Sequence, residues 1–312
     1  MRIFLTGGTG MVGRNILEHP EAKKHIIYAP PRSDVNLQNY KEVETAISDF
    51  NPDIVIHTAG LVGGIGANMN NQFDFLMENM LMGLNVVKAA KICGITKLIN
   101  LGSTCMYPRE APQPLCEEYL GTGPLEPTNE GYAVAKNAVQ RACQYASLNP
   151  HFQYKTYLPV NLFGRWDHYD SEKSHLLPAI IRKLHVAKTN NNWEIEIWGT
   201  GTPKREFMDA ADLADFIFFS LNKFDEVPPV LNVSPGADLT ISEIYMRTAS
   251  IVVGEENYNK LYFKYNTNKP DGMMRKLSDI SKQTNLGWKP KIKFEDTVKA
   301  AYAFFIEHEV NK

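Results

Sequence analysis

The chain has 312 residues, of which 44% are hydrophobic and 22% charged, and its 33 Lys and Arg nearly balance 35 Asp and Glu. This length allows a large core in one or two domains, and the balanced charge makes nucleic acid an unlikely partner. No apolar run approaches the roughly 20 residues that span a bilayer, and the N-terminus leads into a strand instead of a signal peptide, so we expect a cytoplasmic protein that does not bind membranes.

The four cysteines lack C-x-x-C spacing, and the eight histidines show no metal-ligand pattern. We therefore expect reduced thiols and no metal.

Up to residue 160, short apolar runs alternate with longer helical ones, which predicts βαβ units and a parallel, doubly wound Rossmann sheet of the α/β class. The predicted strands are Ile3–Thr6, His25–Tyr28, Ile54–Thr58, Lys97–Leu101 and Tyr154–Pro159. The predicted helices lie near Val12–Glu18, Tyr40–Asp49, Phe73–Cys93 and Tyr132–Leu148.

A glycine-rich turn directly follows the first strand and opens the first helix. Its glycines form G-x-x-G-x-x-G, in which the early glycines permit a tight turn and close approach to a pyrophosphate, and the last lets the helix pack on the sheet. Taken alone, the triplet is also compatible with an ordinary strand–helix turn. The cofactor contacts predicted here are Gly7, Thr9, Gly10, Met11, Val12 and Gly13.

The second strand is followed by Tyr28-Ala-Pro-Pro-Arg-Ser33. An NAD-binding chain usually carries Asp or Glu there for the ribose diol, whereas an arginine suits the 2′-phosphate of NADP. Arg32 therefore predicts NADP as the cofactor. Arg14 is either a second ligand of that phosphate or a solvated surface charge.

Tyr132-Ala-Val-Ala-Lys136 places a tyrosine and a lysine about one helical turn apart on the same face. An ammonium near a phenol favours the phenolate, so the pair suits proton transfer, although such a pair alone is more often a solvated helix face. Ser103 ends the fourth strand, where it is either a strand-end cap or a third group aimed at the same cleft. No G-x-S-x-G elbow surrounds it, so a serine hydrolase is not supported.

Beyond Val160 the alternation ends. Leu176–Lys188 is predicted as an amphipathic helix and Trp198–Phe207 as a glycine-rich, basic loop. We expect a Rossmann domain of residues 1–160 plus about 209–238, and a smaller, sequence-interleaved α/β substrate domain of about 161–208 and 239–312.

The motif TGGTGMVG, Thr58-Ala-Gly60, the serine after the fourth strand and YAVAK resemble those of extended short-chain dehydrogenases/reductases. More narrowly, the chain resembles the GDP-L-fucose synthase family from residue 2 to at least Lys276. The motifs that carry this likeness are Val62-Gly-Gly-Ile65, Ser103-Thr-Cys-Met-Tyr-Pro108, Glu126-Pro-Thr-Asn-Glu130, Ser174-His-Leu-Leu-Pro178 and Trp198-Gly-Thr-Gly-Thr-Pro-Lys-Arg-Glu-Phe207.

The resemblance implies that Tyr132 donates a proton to a ketone oxygen, while Lys136 binds the nicotinamide ribose and lowers the tyrosine pKa and Ser103 binds the same oxygen. It implies that Cys105 and His175 act as base and acid at carbons C3 and C5. The further cofactor contacts that it implies are Leu101, Pro159, Asn161 and Leu162, and the implied contacts to the nucleotide of the substrate are Lys183, Trp198, Arg205 and Asp271. Without the family, Trp198 is equally well interpreted as a core aromatic.

The expected function is NADPH-dependent reduction of the C4 ketone of a GDP-4-keto sugar with C3/C5 epimerisation, by a homodimer formed through the two long helices. One alternative is a reductase without epimerase activity, acting on a related GDP-4-keto sugar such as a heptose, and another is a non-catalytic dinucleotide-binding regulator.

After Gly164 the family usually continues Pro-His-Asp-Asn, whereas this chain has Arg165-Trp-Asp-His168. Some members also carry an arginine where this chain has Thr9. The first departure puts the sugar in doubt more than the fold.

Overall fold

The computed structural model describes residues 1–170, 174–269 and 271–310. The strands, in chain order, are β1 (Arg2–Thr6), β2 (Ile26–Tyr28), β3 (Ile54–His57), β4 (Lys97–Leu101), β5 (Gln153–Pro159), β6 (Asn161–Phe163), β7 (Glu194–Trp198), β8 (Lys204–Arg205), β9 (Phe207–Asp209), β10 (Val230–Val233), β11 (Leu239–Thr240), β12 (Tyr262–Asn266) and β13 (Arg275–Lys276). The α-helices are α1 (Met11–Glu18), α2 (Tyr40–Phe50), α3 (Ile65–Asn70), α4 (Gln72–Ile92), α5 (Glu130–Ala146), α6 (Leu176–Thr189), α7 (Ala210–Asn222), α8 (Ile241–Val253), α9 (Glu255–Tyr258), α10 (Ser281–Leu286) and α11 (Phe294–Phe305).

Six strands form a parallel sheet in the order β10-β5-β4-β3-β1-β2. Strands β3 and β4 are buried almost throughout, because helices cover both faces of the sheet. The chain leaves β1 for β2 on one side and returns to β3 on the other, so the strand order reverses at β1. The predicted doubly wound sheet is therefore confirmed, and its carboxyl edge at β1 is where such folds bind ligands.

Helices α1 and α7 pack on one face of this sheet, and α2, α4 and α5 pack on the other. A Cβ atom on Gly83 of α4 would lie 2.4 Å from a Val139 methyl carbon of α5. Glycine is needed there because the two long helices approach so closely. The sheet and these five helices are called the Rossmann part below.

A second core lies between α6, α8 and α11, with Leu177, Leu184, Ile195, Ile244 and Val298 fully or almost fully buried in it. The parallel pair β7–β12 and the three-stranded sheet β11-β8-β13 accompany these helices. We call this assembly the cap. The chain passes between the two parts where β6 pairs with β9.

Several details differ from the predictions. The expected loop Trp198–Phe207 contains the end of β7, all of β8 and the start of β9, because Lys204 and Arg205 pair with strands that are distant in sequence. Leu286 and Trp288, within the segment predicted for the second domain, pack in the core of the Rossmann part. Residues 171–173, 270 and 311–312 of that predicted domain lie outside the described residues. Within the described ranges, no helix is long and apolar enough to cross a membrane.

Candidate active site

The glycine-rich turn between β1 and α1 folds tightly because two of its positions have no side chain. Gly7 has a φ of 73°, and a Cβ on it would lie 2.7 Å from the Ala59 nitrogen. A Cβ on Gly13 would lie 2.1 Å from the Gly7 carbonyl oxygen. The turn is thus folded tightly onto the first turn of α1, whose free N–H groups favour an anion. Thr9, Gly10, Met11 and Val12 lie in the same segment, and this geometry fits the pyrophosphate of a dinucleotide.

The two arginines considered for the 2′-phosphate differ in their surroundings. Arg32 is exposed in the loop that follows β2. Arg14 lies on α1 with its guanidinium carbon 4.8 Å from the centre of the Trp166 ring. Arg14 thus already has an aromatic partner, and Arg32 remains the exposed candidate for the phosphate.

Ser103, Tyr132 and Lys136 meet where β4 ends beside the start of α5. The Lys136 ammonium donates a hydrogen bond of 2.9 Å to the Leu101 carbonyl and lies 5.7 Å from the centre of the Tyr132 ring. Burial lowers the pKa of Lys136 to about 8. The hydrogen bond to Leu101 holds the Lys136 side chain at the end of β4.

The pKa of Tyr132 is raised, chiefly because burial disfavours the phenolate and secondarily because a negative charge on an ionised Cys105 would disfavour it further. The Ser103 side chain acts in the opposite direction. The effect of Lys136 on the phenol pKa stays a prediction, and its ammonium lies 5.7 Å from the centre of the ring. The phenol holds its proton at neutral pH, which suits a proton donor.

Cys105 lies just after Ser103, and its thiol meets two nitrogen donors. Asn129 Nδ2 is 3.0 Å from the sulfur and Lys276 Nζ is 3.7 Å from it. Burial raises the pKa of the thiol, but the charge of Lys276 and hydrogen bonds from Ser103, Asn129 and Lys276 outweigh this effect and lower the pKa below its ordinary value. No role was predicted for Asn129 or Lys276 from the sequence. Asn129 lies within Glu126-Pro-Thr-Asn-Glu130, whereas no sequence motif marks Lys276, which reaches the thiol from β13.

His175 is the residue immediately before α6, in the cap. Burial and the nearby His168 lower the pKa of its imidazole below the ordinary 6.5. The imidazole is therefore mostly neutral at pH 7.

The predicted contacts to the nucleotide of the substrate form a connected series in the cap. Arg205 is influenced by the charges of Cys105 and Asp271, although burial is the main effect and lowers its pKa. Asp271 accepts hydrogen bonds from the Thr200 backbone and hydroxyl at 2.8 and 3.0 Å. Trp198, two residues before Thr200, is 43% exposed, which excludes a core position. Arg205, Asp271, Thr200 and Trp198 thus follow one another from the Cys105 side of the cap to the exposed Trp198 indole.

Lys183 accompanies this indole from α6. Its ammonium lies 5.9 Å from the Trp198 ring centre and donates to the Glu196 carbonyl.

Three of the predicted cofactor contacts lie where the chain crosses between the two parts. Pro159 ends β5, and the Leu162 side chain packs against the core of the Rossmann part. The Asn161 side chain donates a hydrogen bond to the Glu206 carbonyl.

Residues 3–234 match the sequence model of the NAD dependent epimerase/dehydratase family. The chain belongs to this family. It is 44% identical over 312 residues to GDP-L-colitose synthase of Yersinia pseudotuberculosis, with both chains covered completely. It is 41% identical to GDP-L-fucose synthase of Azorhizobium caulinodans, over 98% of this chain and 96% of that protein. A solved GDP-mannoheptose C4 reductase from Campylobacter jejuni with NADP bound has a TM-score of 0.85 and 28% identity, covering 97% of this chain and 98% of that one.

Membership of the epimerase/dehydratase family confirms the resemblance that the motifs indicated. The segment that departs from the usual pattern has a defined position. Arg165 forms an ion pair of 3.0 Å with Glu18 of α1, and the Trp166 indole donates to the same carboxylate at 2.9 Å. The indole also packs against Phe304 of α11, with ring centres 5.0 Å apart. The Trp166 indole therefore joins the Rossmann part to the cap.

Proposed function

We propose that the protein reduces the C4 ketone of a GDP-linked 4-keto sugar with NADPH. The observation that carries the proposal is the cluster of Ser103, Tyr132, Lys136 and Cys105 at the carboxyl edge of the sheet. By their names, the three relatives act on or make GDP-linked sugars, and the solved one binds NADP. The names differ in the sugar, so they support the class of substrate and not one member.

The residues have complementary roles in this reaction. Bound NADPH supplies a hydride to C4. Ser103 donates a hydrogen bond to the ketone oxygen, which becomes more negative as reduction proceeds, and Tyr132 gives that oxygen its proton. The phenol is protonated at neutral pH, so its proton is present when the ketone binds. The cap would hold the nucleotide through Lys183, Trp198, Arg205 and Asp271, since an indole stacks on a base and an arginine pairs with phosphate.

The proposal includes epimerisation through Cys105 and His175. Protons on the carbons beside a ketone are acidic, and the groups that polarise the oxygen for reduction also stabilise an enolate. The competing function is reduction alone. It is favoured by the departure at residues 165–168 and by the C4 reductase among the relatives. Against it, the lowered pKa of the Cys105 thiol suits a base. A non-catalytic regulator would have no physical need for Ser103, Tyr132 and Lys136 together.

Turnover of a GDP-4-keto-6-deoxy sugar in deuterium oxide tests the function and separates the two candidates. We expect reduction at C4 together with deuterium at C3 or C5 of inverted configuration, read by NMR and mass spectrometry. Cys105→Ser should slow deuterium incorporation more than reduction, because the hydroxyl is a far weaker base. Reduction without deuterium would establish the reductase alone, and no oxidation of NADPH with any GDP- or UDP-4-keto sugar would refute the proposed activity.

Cofactor choice is tested at Arg32. Arg32→Ala should raise KM for NADPH by roughly 10- to 100-fold, the worth of a hydrogen bond to a charged group of about 1.5–3 kcal/mol, and should barely change KM for NADH. Arg14→Ala is the matched control, since Arg14 stacks on Trp166. Equal effects of Arg32→Ala on both cofactors would contradict the assignment.

We further propose a homodimer formed through α4 and α5. Phe73, Met77 and Leu81 follow one line of α4 and are 72%, 38% and 42% exposed. Val134 and Tyr145 of α5 are exposed as well. Covering such an apolar line would remove a surface that is costly to leave in water. Leu81→Glu should reduce the mass seen by sedimentation from dimer to monomer, while Met246→Glu on α8 should not. A monomeric parent protein would refute the dimer.

We also propose that the protein works in the cytoplasm, because NADPH and GDP-sugars are soluble cytoplasmic metabolites. Cell fractionation, with recovery in the soluble fraction expected, tests this location.

A further inference from the structure

The sulfur of Cys105 is contacted from both parts of the molecule. Asn129, immediately before α5 in the Rossmann part, places its amide nitrogen 3.0 Å from the sulfur. Lys276, on β13 of the cap, places its ammonium 3.7 Å from it. A neutral thiol is a weak acceptor, whereas a thiolate attracts N–H donors strongly, so two donors converging on one sulfur match the ionised form.

We propose that Asn129 and Lys276 are positioning residues that hold Cys105 as a thiolate, so that this base is complete only where the Rossmann part and the cap meet. Its role as the base of epimerisation rests on the proposed function, but the thiolate itself does not.

The orientation of the Asn129 amide supports this inference. Its Oδ1 atom is buried and has no hydrogen-bond partner within the described residues, while its NH₂ group faces the sulfur. A neutral thiol would let the amide turn over and accept an S–H hydrogen bond at the orphaned oxygen. If the sulfur is negative, rotation of the Asn129 amide would place its Oδ1 atom, an acceptor, against the sulfur, which is also an acceptor. The observed orientation is therefore the one that a thiolate selects.

The position of Lys276 supports it too. Lys276 pairs with Arg205 across the parallel strands β13 and β8, so the cap brings two cations towards the thiol side by side. A nearby positive charge is the usual means of lowering a thiol pKa, and here it is supplied by a strand that belongs to the substrate side of the cleft.

The proton transfers balance as follows. The thiolate takes a proton from a carbon beside C4, the C–H electron pair becomes the enolate double bond, and the carbonyl π pair moves to the oxygen near Ser103 and Tyr132. The imidazolium form of His175, which is the minor form at neutral pH because its pKa is lowered, then returns a proton to the carbon. The enolate double bond supplies the electron pair of the new C–H bond and the oxygen pair re-forms the carbonyl, so a thiol and a neutral imidazole remain. Because the charge on Cys105 contributes to the raised pKa of Tyr132, protonation of the thiol makes the phenol a better donor for the reduction that follows.

Alkylation of the free protein with iodoacetamide across pH tests the proposal without substrate. Peptide mass spectrometry follows each cysteine separately, and Cys116, whose thiol pKa is raised by burial, is the internal reference. We expect Cys105 to react with a midpoint well below that of Cys116. Lys276→Met should raise the Cys105 midpoint by about one pH unit and so slow alkylation roughly tenfold at pH 7, and Lys276→Arg should largely restore it. Asn129→Leu should raise the midpoint by a smaller amount.

Lys204→Met is the matched control, because it removes an exposed cation from the paired strand β8 that makes no contact with the thiol in the described structure. Circular dichroism and melting curves identify variants that fail to fold, and for these the Lys276→Arg result decides. A Cys105 midpoint at or above that of Cys116 in the parent, or no change in Lys276→Met, would overturn the inference. A low midpoint in a protein that incorporates no deuterium would retain the thiolate and refute only the epimerase part of the proposed function.

Discussion

Tyr132→Phe should lower kcat for reduction by about two to four orders of magnitude, which is the usual worth of a positioned general acid. The ring is kept, so its edge contact with Phe75, at 6.4 Å between ring centres, is retained and the site keeps its shape. NADPH binding, measured by fluorescence titration, should change little, because the phenol is assigned to the ketone and not to the cofactor. Single-turnover oxidation of NADPH at saturating sugar measures the chemical step directly.

Tyr145→Phe provides the comparison. Tyr145 lies on the same helix α5 but is 63% exposed, so loss of its hydroxyl should leave turnover unchanged. If Tyr132→Phe instead turned over like the parent, another group would have to supply the proton, and the assignment of the whole cluster would be refuted.

The part of the fold that the sequence predicts well is the part encoded by local patterns. Strands β1 to β5 and helices α1, α2, α4 and α5 end within one or two residues of their predicted bounds, because runs of apolar residues and their spacing are set along the chain itself. Ser103, Tyr132 and Lys136 come together for a related reason, since the carboxyl end of a parallel strand and the start of the next helix meet at one edge of the sheet.

The contacts that escaped prediction join segments that are distant in sequence. Lys276 contacts Cys105 although 171 positions of the chain separate them, and no sequence motif near either residue predicts the contact. Strand β8 has only two residues and exists because β11 and β13 flank it. A pattern within the chain cannot reveal a strand whose stability comes from its neighbours.

The contacts of Arg165 and Trp166 are a further example of contacts that the sequence does not predict. The departure of this segment from the usual family pattern was expected to bear on the sugar more than on the fold. In the structure, Arg165 and Trp166 contact Glu18, and Trp166 also packs against Phe304 and under the guanidinium of Arg14. Trp166 therefore acts on the joint between the Rossmann part and the cap, whereas His168 of the same segment lowers the pKa of His175. The departure leaves Cys105, Arg205 and Asp271, which lie on other segments, in place.

Gly13→Ala should destabilise the protein strongly and weaken NADPH binding. The added methyl group would lie 2.1 Å from the Gly7 oxygen and 2.6 Å from the Gly8 Cα atom, both of them backbone atoms. Neither can move without opening the turn or displacing α1 from the sheet. Overpacking of this kind typically costs about 1–3 kcal/mol, which corresponds to a fall in Tm of several degrees for a chain of this size.

Gly10→Ala is the control, because it also replaces a glycine of the turn but creates no steric clash with the backbone. Gly10 has a φ of −83°, which any residue adopts, and a Cβ there would meet only the Gly7 oxygen at an ordinary 3.5 Å. Without cofactor, Gly10→Ala should therefore melt like the parent while Gly13→Ala melts several degrees lower. Calorimetry of the three proteins without NADPH makes the comparison, and titration with NADPH then shows whether the destabilised turn still binds. Equal melting temperatures for the parent and Gly13→Ala would mean that α1 can move away from the turn at little cost, and the tight turn would then not be what shapes the pyrophosphate site.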